Sequence, residues 1–334
     1  MDLARPPVEL QHVLRSAPAS SRLSWGDPSA LGMSDGSPQS TQPQPQERRV
    51  SGTNLSLTTS DDVTIRYDDE GKGRPVVLAS GFADQSPTWI FQRDALVNAG
   101  YRVIRFDYRL HGRSDAPAHG KRMTRLGLDL GELLTALDLR DAVLVGHSLG
   151  VSVSLAYFSI ATDAWDRISV FVAIDQSPKI VNEQDWQWGV RGITDANVYD
   201  AAYFRFAWLN SEREPEDPEH ARKLLASVTP TFDEFPMETV HRLLIDHFVA
   251  DWRDVLPRIP VPTWVVTGRH SAFYELDGMR WFPETVQNGR LGIFERSGHT
   301  PPSERVRGVQ RAAARVHRAA LTAPSREEHT SAIV

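Results

Sequence analysis

One serine of this sequence stands where it could act as a nucleophile. Gly146-His147-Ser148-Leu149-Gly150 directly follows the apolar run Ala142-Val143-Leu144-Val145 and directly precedes an apolar helical stretch from Val151 to Ile160. Gly-x-Ser-x-Gly between a strand and a helix is the setting of a nucleophile elbow, where the serine sits on a tight, strained turn. The two glycines let the helix pass close to the strand. The pentapeptide alone also fits an ordinary strand–turn–helix junction with a capping serine, and the flanking patterns decide for the elbow. Such a serine needs a base within hydrogen-bond reach. Of the 11 histidines, His299 in Gly298-His299-Thr300 is the candidate, because it follows the run Leu291–Glu295 and comes after Ser148 in the chain. Acyl transfer also needs preorganised N–H donors for the developing oxyanion. Leu149, next to the nucleophile, supplies one. The loop Ala79-Ser80-Gly81-Phe82-Ala83 supplies the other, assigned to Phe82. A further charged stretch, Asp107-Tyr108-Arg109-Leu110-His111-Gly112-Arg113-Ser114-Asp115, reads as structural, with Asp107 and Arg109 holding the loop through a charge-assisted bond.

These residues need a frame that brings strand ends together. Leu55–Thr59 and Val63–Tyr67 alternate with period two around Ser60-Asp61-Asp62, which predicts a hairpin. Short β-branched runs follow at Pro75–Ala79, Tyr101–Phe106, Ala142–Val145 and Ile168–Ile174, and later at Val261–Thr267 and Leu291–Glu295. Helical patterns lie between them, as in Leu126–Leu139, where Leu126, Leu130, Leu133, Leu134 and Leu137 share a face. Strands alternating with helices imply a parallel sheet covered on both faces. A closing helix is expected near Ser303–Leu321.

The roughly 80 residues between Ile174 and Val261 break this alternation, with helical segments at Val198–Trp208, Pro218–Val228 and Glu238–Trp252. Residues 176–256 also hold 11 of the chain's 29 Phe, Trp and Tyr residues, so 176–257 reads as a helical lid. At the other extreme, Pro, Ser and Gln fill 20 of the first 50 positions. A segment of that composition buries too little to offset its ordering entropy, so 1–50 is expected to be a disordered tail, or Met33 to be the true start. The core is then 51–175 and 258–321, with 322–334 a frayed end.

Composition removes several classes. The 334 residues are 40% hydrophobic and 24% charged, values of an ordinary globular chain. With no cysteine there is no disulfide, thiolate metal site or cysteine nucleophile. A net charge of −6 gives no sign of a nucleic-acid partner. No apolar run approaches the 18 or so residues of a membrane span. The N-terminus lacks the apolar core of a signal peptide, so a cytoplasmic location is expected.

Together the Ser-Gly-Phe loop, the Asp-x-Arg-x-His-Gly-Arg-Ser loop, Gly-His-Ser-Leu-Gly and Gly-His-Thr-Pro resemble the α/β-hydrolase family, in order and over residues 51 to about 321. The resemblance implies an α/β fold with a mostly parallel eight-stranded sheet, helices on both faces, a helical lid after strand 6, a Ser-His-acid triad and no cofactor. Two departures stand out. Many members carry His-Gly where this chain has Ser80-Gly81, and the common acid position, Gly-x-x-Asp after strand 7, reads Gly268-Arg269-His270-Ser271. Some branches of the fold carry their acid at the end of strand 6, where this chain has Asp175. Asp175 is therefore the expected acid, with Glu275 and Asp277 as alternatives.

The expected chemistry is serine hydrolysis of an ester or lactone: His299 takes the Ser148 proton, Phe82 and Leu149 receive the oxyanion, and Asp175 steadies His299. The aromatic lid residues Trp186, Trp188, Phe204 and Trp208 suggest a largely apolar pocket for a small molecule. The same triad could instead serve C–C bond hydrolysis, haloperoxidase-like perhydrolysis or cofactor-free oxygen chemistry. A non-catalytic ligand-binding protein on the same fold is the other class, and intact Ser148 and His299 argue against it.

Overall fold

A computed structural model describes residues 52–204 and 237–299. The hairpin comes first, β1 (Gly52–Thr58) and β2 (Thr64–Gly71), paired antiparallel with Leu57 opposite Ile65. Then follow β3 (Pro75–Ala79), α1 (Ile90–Asn98), β4 (Arg102–Phe106), α2 (Met123–Ala136), β5 (Ala142–His147), α3 (Leu149–Ile160) and β6 (Ile168–Ile174). An insertion carrying α4 (Val198–Phe204) and α5 (Met237–Val249) separates β6 from β7 (Thr263–Gly268). The described chain ends with α6 (Leu276–Thr285), β8 (Gly289–Phe294) and the loop to His299. The sequence-predicted segments 1–50, Pro218–Val228, Ser303–Leu321 and 322–334 lie outside the described residues.

The strands form one eight-stranded sheet in the order β1-β2-β4-β3-β5-β6-β7-β8. β2 meets β4 antiparallel, and every pairing from β4 to β8 is parallel. Strand period two splits the sheet's side chains between two cores. Val77, Ala79, Ile104, Leu144, Phe171, Ala173 and Val265 join one, against α2 and α3. Val76, Leu78, Val103, Val145, Val172 and Ile174 join the other, with Trp89 and Leu96 of the α1 side. This explains why the central strands read as unbroken apolar runs: both faces are covered. α3 runs through the interior, buried from Leu149 to Phe158, which accounts for its lack of a polar face.

After β3 the chain first adds β4 on one side and then crosses to add β5 on the other. A sheet of this kind opens a crevice outside the carboxyl ends of its strands at that switch point. The register fixes what stands at the crest. His147 pairs with Ile174, and Ile174 with Val266. The next residues, Ser148, Asp175 and Thr267, therefore form a row along the ends of β5, β6 and β7.

Candidate active site

β5 runs two residues further than its apolar stretch, through Gly146 and His147, and hands the chain directly to Ser148. Ser148 has φ 50° and ψ −119°, a strained left-handed turn, and its N–H donates to the Ile174 carbonyl at 2.9 Å. The flanking glycines are sterically required. A Cβ on Gly146 would stand 2.6 Å from the Gly150 backbone, and one on Gly150 would stand 2.2 Å from the Ala79 carbonyl oxygen. The strand-to-helix turn is thus tight enough to leave the serine Oγ at its tip.

His299 comes back to this tip on the loop after β8. Its Nε2 lies 3.0 Å from Ser148 Oγ and its Nδ1 lies 2.6 Å from Asp175 Oδ2. Nδ1 faces a carboxylate and so donates, which leaves the Nε2 lone pair to accept the Ser148 hydroxyl. The His299 ring also packs on Phe273, with centroids 4.1 Å apart.

Asp175 is fully buried and has φ 48°, with its N–H bonded to the Val266 carbonyl at 2.7 Å. A buried carboxylate must be paired and hydrogen-bonded. Besides His299 it accepts from the hydroxyls of Thr267, at Oδ1, and Ser271, at 2.7 Å to Oδ2. Ser271, standing where the common acid position would fall, is therefore a hydrogen-bond donor to Asp175. Glu275 and Asp277 do not meet His299. Glu275 is surface-exposed and paired with Arg191 at 2.6 Å, which holds its carboxyl below the usual range, and Asp277 pairs with Arg280 at 3.3 Å on the exposed first turn of α6.

The two oxyanion-hole candidates are Leu149, which follows Ser148 in the chain, and Phe82 on the loop after β3. Leu149 opens α3, so its N–H has no partner within the helix. Phe82 is buried and packs edge-on against His111 at 5.7 Å. Ser80, which replaces the usual histidine, anchors this loop. Its Oγ accepts the Trp89 indole N–H at 2.9 Å and its carbonyl accepts the Tyr108 hydroxyl at 3.0 Å.

The charged loop after β4 is structural, but its pairing differs from the expected Asp107–Arg109 bond. Asp107 is held by Arg113 at 2.8 Å and by the Ser86 N–H at 2.6 Å. Arg109, fully buried, forks onto Asp129 (2.6 and 2.8 Å) and reaches Asp61 (2.9 and 3.0 Å). The partners come from distant elements, so local spacing could not name them.

The aromatic candidates of the insertion divide. Trp186 is buried, donates its indole N–H to the Lys179 carbonyl at 3.1 Å, meets Trp281 edge-on at 4.8 Å and lies 5.0 Å beneath the Arg253 guanidinium. Trp188 stacks its Cβ over Gly278 of α6. Both contacts pack the insertion against α6. Trp208 lies outside the described residues, as does the side chain of Phe204. Sequence reasoning missed Thr267, Phe273, His147 and Asp84. The first two sit on β7 and its loop, where only the unusual Ser271 gave a signal. No three His, Asp or Glu side chains converge as a metal-ligand set among the described residues.

Similar proteins share this fold. The pattern of the alpha/beta hydrolase fold family matches residues 74–211. The non-heme chloroperoxidase CPO-A1 of Kitasatospora aureofaciens is 30% identical over 257 residues, covering 72% of this chain and 90% of that protein. The chain belongs to the alpha/beta hydrolase fold family. Among solved members, an esterase from Exiguobacterium antarcticum superposes with a TM-score of 0.68 at 26% identity, over 80% of this chain and 99% of that one. A bromoperoxidase from Bacillus anthracis, 24% identical, shares the fold with a TM-score of 0.69 over 80% of this chain and all of that one. No helix among the described residues is long and apolar enough to cross a membrane.

Proposed function

We propose that this alpha/beta hydrolase is a serine hydrolase that cleaves an ester or lactone of a small, largely apolar substrate through an acyl-enzyme. The observation that carries the reading is the unbroken chain from Ser148 Oγ to His299 Nε2 (3.0 Å) and from His299 Nδ1 to Asp175 (2.6 Å). Ser148 Oγ bonds to the carbonyl carbon as its proton passes to His299 Nε2. The N–H groups of Phe82 and Leu149 take the oxyanion, and removing one such donor costs roughly 10²–10³ in kcat in comparable sites. His299 returns the proton to the departing alkoxide. It then deprotonates a water that attacks the acyl carbon, and Ser148 leaves with that proton. Asp175 keeps Nδ1 protonated and offsets the imidazolium charge.

A second reading uses the same acyl-enzyme. Hydrogen peroxide in place of water would give a peracid, and the non-heme chloroperoxidase relative favours including it. A fluorophosphonate probe, followed by turnover of p-nitrophenyl butyrate with and without peroxide, tests both. Labelling at Ser148 that Ser148→Ala abolishes is expected. Labelling at another serine sinks the assignment, and peracid formation outpacing hydrolysis selects the second reading.

A further inference from the structure

His147 stands between the elbow glycine and the nucleophile, and the proposed reaction gives it no role. It is 5% exposed, yet both ring nitrogens face acceptors. Nε2 lies 2.8 Å from the His299 carbonyl oxygen, so it carries a proton. Nδ1 lies 3.7 Å from an Asp84 carboxylate oxygen on the loop after β3. A neutral ring would point a lone pair at that carboxylate, whereas an imidazolium satisfies both sides.

We propose that His147 is a positioning residue: an imidazolium paired with Asp84, it holds the His299 main chain and so fixes the reach of the His299 ring to Ser148 and Asp175. The inference rests on the serine-hydrolase reading and adds to it. His299 sits on the loop after β8, and its carbonyl is tied to the very strand end that carries Ser148. The tether therefore joins base and nucleophile through the main chain, independently of their own hydrogen bond.

Charge bookkeeping around His147 is balanced. It faces Asp84 from the loop after β3, Asp175 from the end of β6 and the His299 ring, 5.0 Å away, from the loop after β8. The Trp89 ring stands roughly perpendicular to it, with centroids 6.5 Å apart. Burial alone would push the His147 proton off, but the Asp84 carboxylate overrides it and the ring's pKa is raised above its ordinary 6.5. When His299 takes the Ser148 proton the site holds two cationic rings and two carboxylates, one for each. Loss of the His147 proton at high pH removes the Asp84 tie, so activity carries an alkaline limb set by His147.

The test uses the full chain with p-nitrophenyl butyrate as substrate and fluorophosphonate labelling as a second readout. His147→Ala should lower kcat on the order of 10²-fold, the cost of an ångström-scale misplacement, with KM within about threefold. His147→Gln keeps an N–H donor without titrating. It should restore kcat to within about tenfold of wild type and abolish the alkaline limb. Asp84→Asn should move that limb to lower pH. Wild-type kcat in a folded His147→Ala protein, or an alkaline limb absent from wild type or the same in all variants, overturns the inference. If His147→Ala loses its circular dichroism, His147→Gln and Asp84→Asn decide alone. The two readings fail separately. An unlabelled Ser148 in wild type refutes the serine-hydrolase proposal, whereas Ser148 labelled at the wild-type rate in His147→Ala refutes only the role of His147.

Discussion

Replacing Asp175 by asparagine probes the acid with almost no change of shape. In the native site Oδ2 receives both His299 Nδ1–H and the Ser271 hydroxyl, and Oδ1 receives the Thr267 hydroxyl. The amide can enter in two orientations. With NH₂ toward His299, Nδ1 must accept, the proton moves to Nε2, and the ring can no longer take one from Ser148. In the template triad this wrong tautomer costs roughly 10⁴ in kcat. With the amide oxygen toward His299, the NH₂ meets Thr267, whose hydroxyl can accept and turn its own proton to the Gly268 carbonyl 3.4 Å away. The tautomer then survives and only the charge is lost. A carboxylate–imidazolium attraction at hydrogen-bond range is about 4 kcal/mol at an effective dielectric of ~20, or about three factors of ten.

Both orientations therefore predict a kcat loss on the order of 10³–10⁴, with KM little changed. The assay is steady-state ester hydrolysis on Asp175→Asn, with circular dichroism to show an intact fold. Glu275→Gln and Asp277→Asn, both on the surface, should stay within about tenfold of wild type. A near-wild-type kcat for Asp175→Asn would refute the assignment. Adding Ser271→Asp to Asp175→Asn should recover part of the loss, because Ser271 Oγ already lies 2.7 Å from the Asp175 carboxylate.

Two stability predictions accompany this one. Gly150→Ala drives a Cβ to 2.2 Å from the backbone oxygen of Ala79, so helix and strand must part. A loss of about 1–3 kcal/mol and a lower Tm are expected, together with lower activity as the elbow shifts, and an unchanged Tm would contradict the packing argument. Burial lowers the pKa of His111 to about 4 and of His247 to about 3, both from an ordinary 6.5. As pH falls below 6.5 the unfolded chain takes up protons that these rings refuse, so stability falls by up to about 1.4 kcal/mol per ring per pH unit until the folded values are reached. Denaturant unfolding between pH 7 and 5 should show this slope, and His247→Phe should flatten it; an identical slope in that variant would remove His247 from the account.

Much of this protein is legible in its sequence because the relevant physics is local. Short β-branched apolar runs followed by turn residues named β3 and β6 to the residue. The glycines at 146 and 150 are readable because no other side chain fits where α3 crosses the strand ends. Strand ends are less legible: β5 reaches His147 because its neighbours continue to pair with it, not because its own side chains stay apolar. What the tertiary structure alone decided is which polar groups meet. On paper Asp175 is the expected acid, with Glu275 and Asp277 as alternatives that residue spacing does not remove. Sheet register sets Asp175 beside Ser148 and opposite His299, and leaves the other two on the surface with arginines. Arg109 passed over the nearby Asp107 for Asp129 and Asp61, 20 and 48 residues away in the chain. A buried charge takes whichever partner folding brings to its fork. That choice depends on strand order and register, which arise from contacts between distant segments and leave no trace in residue spacing.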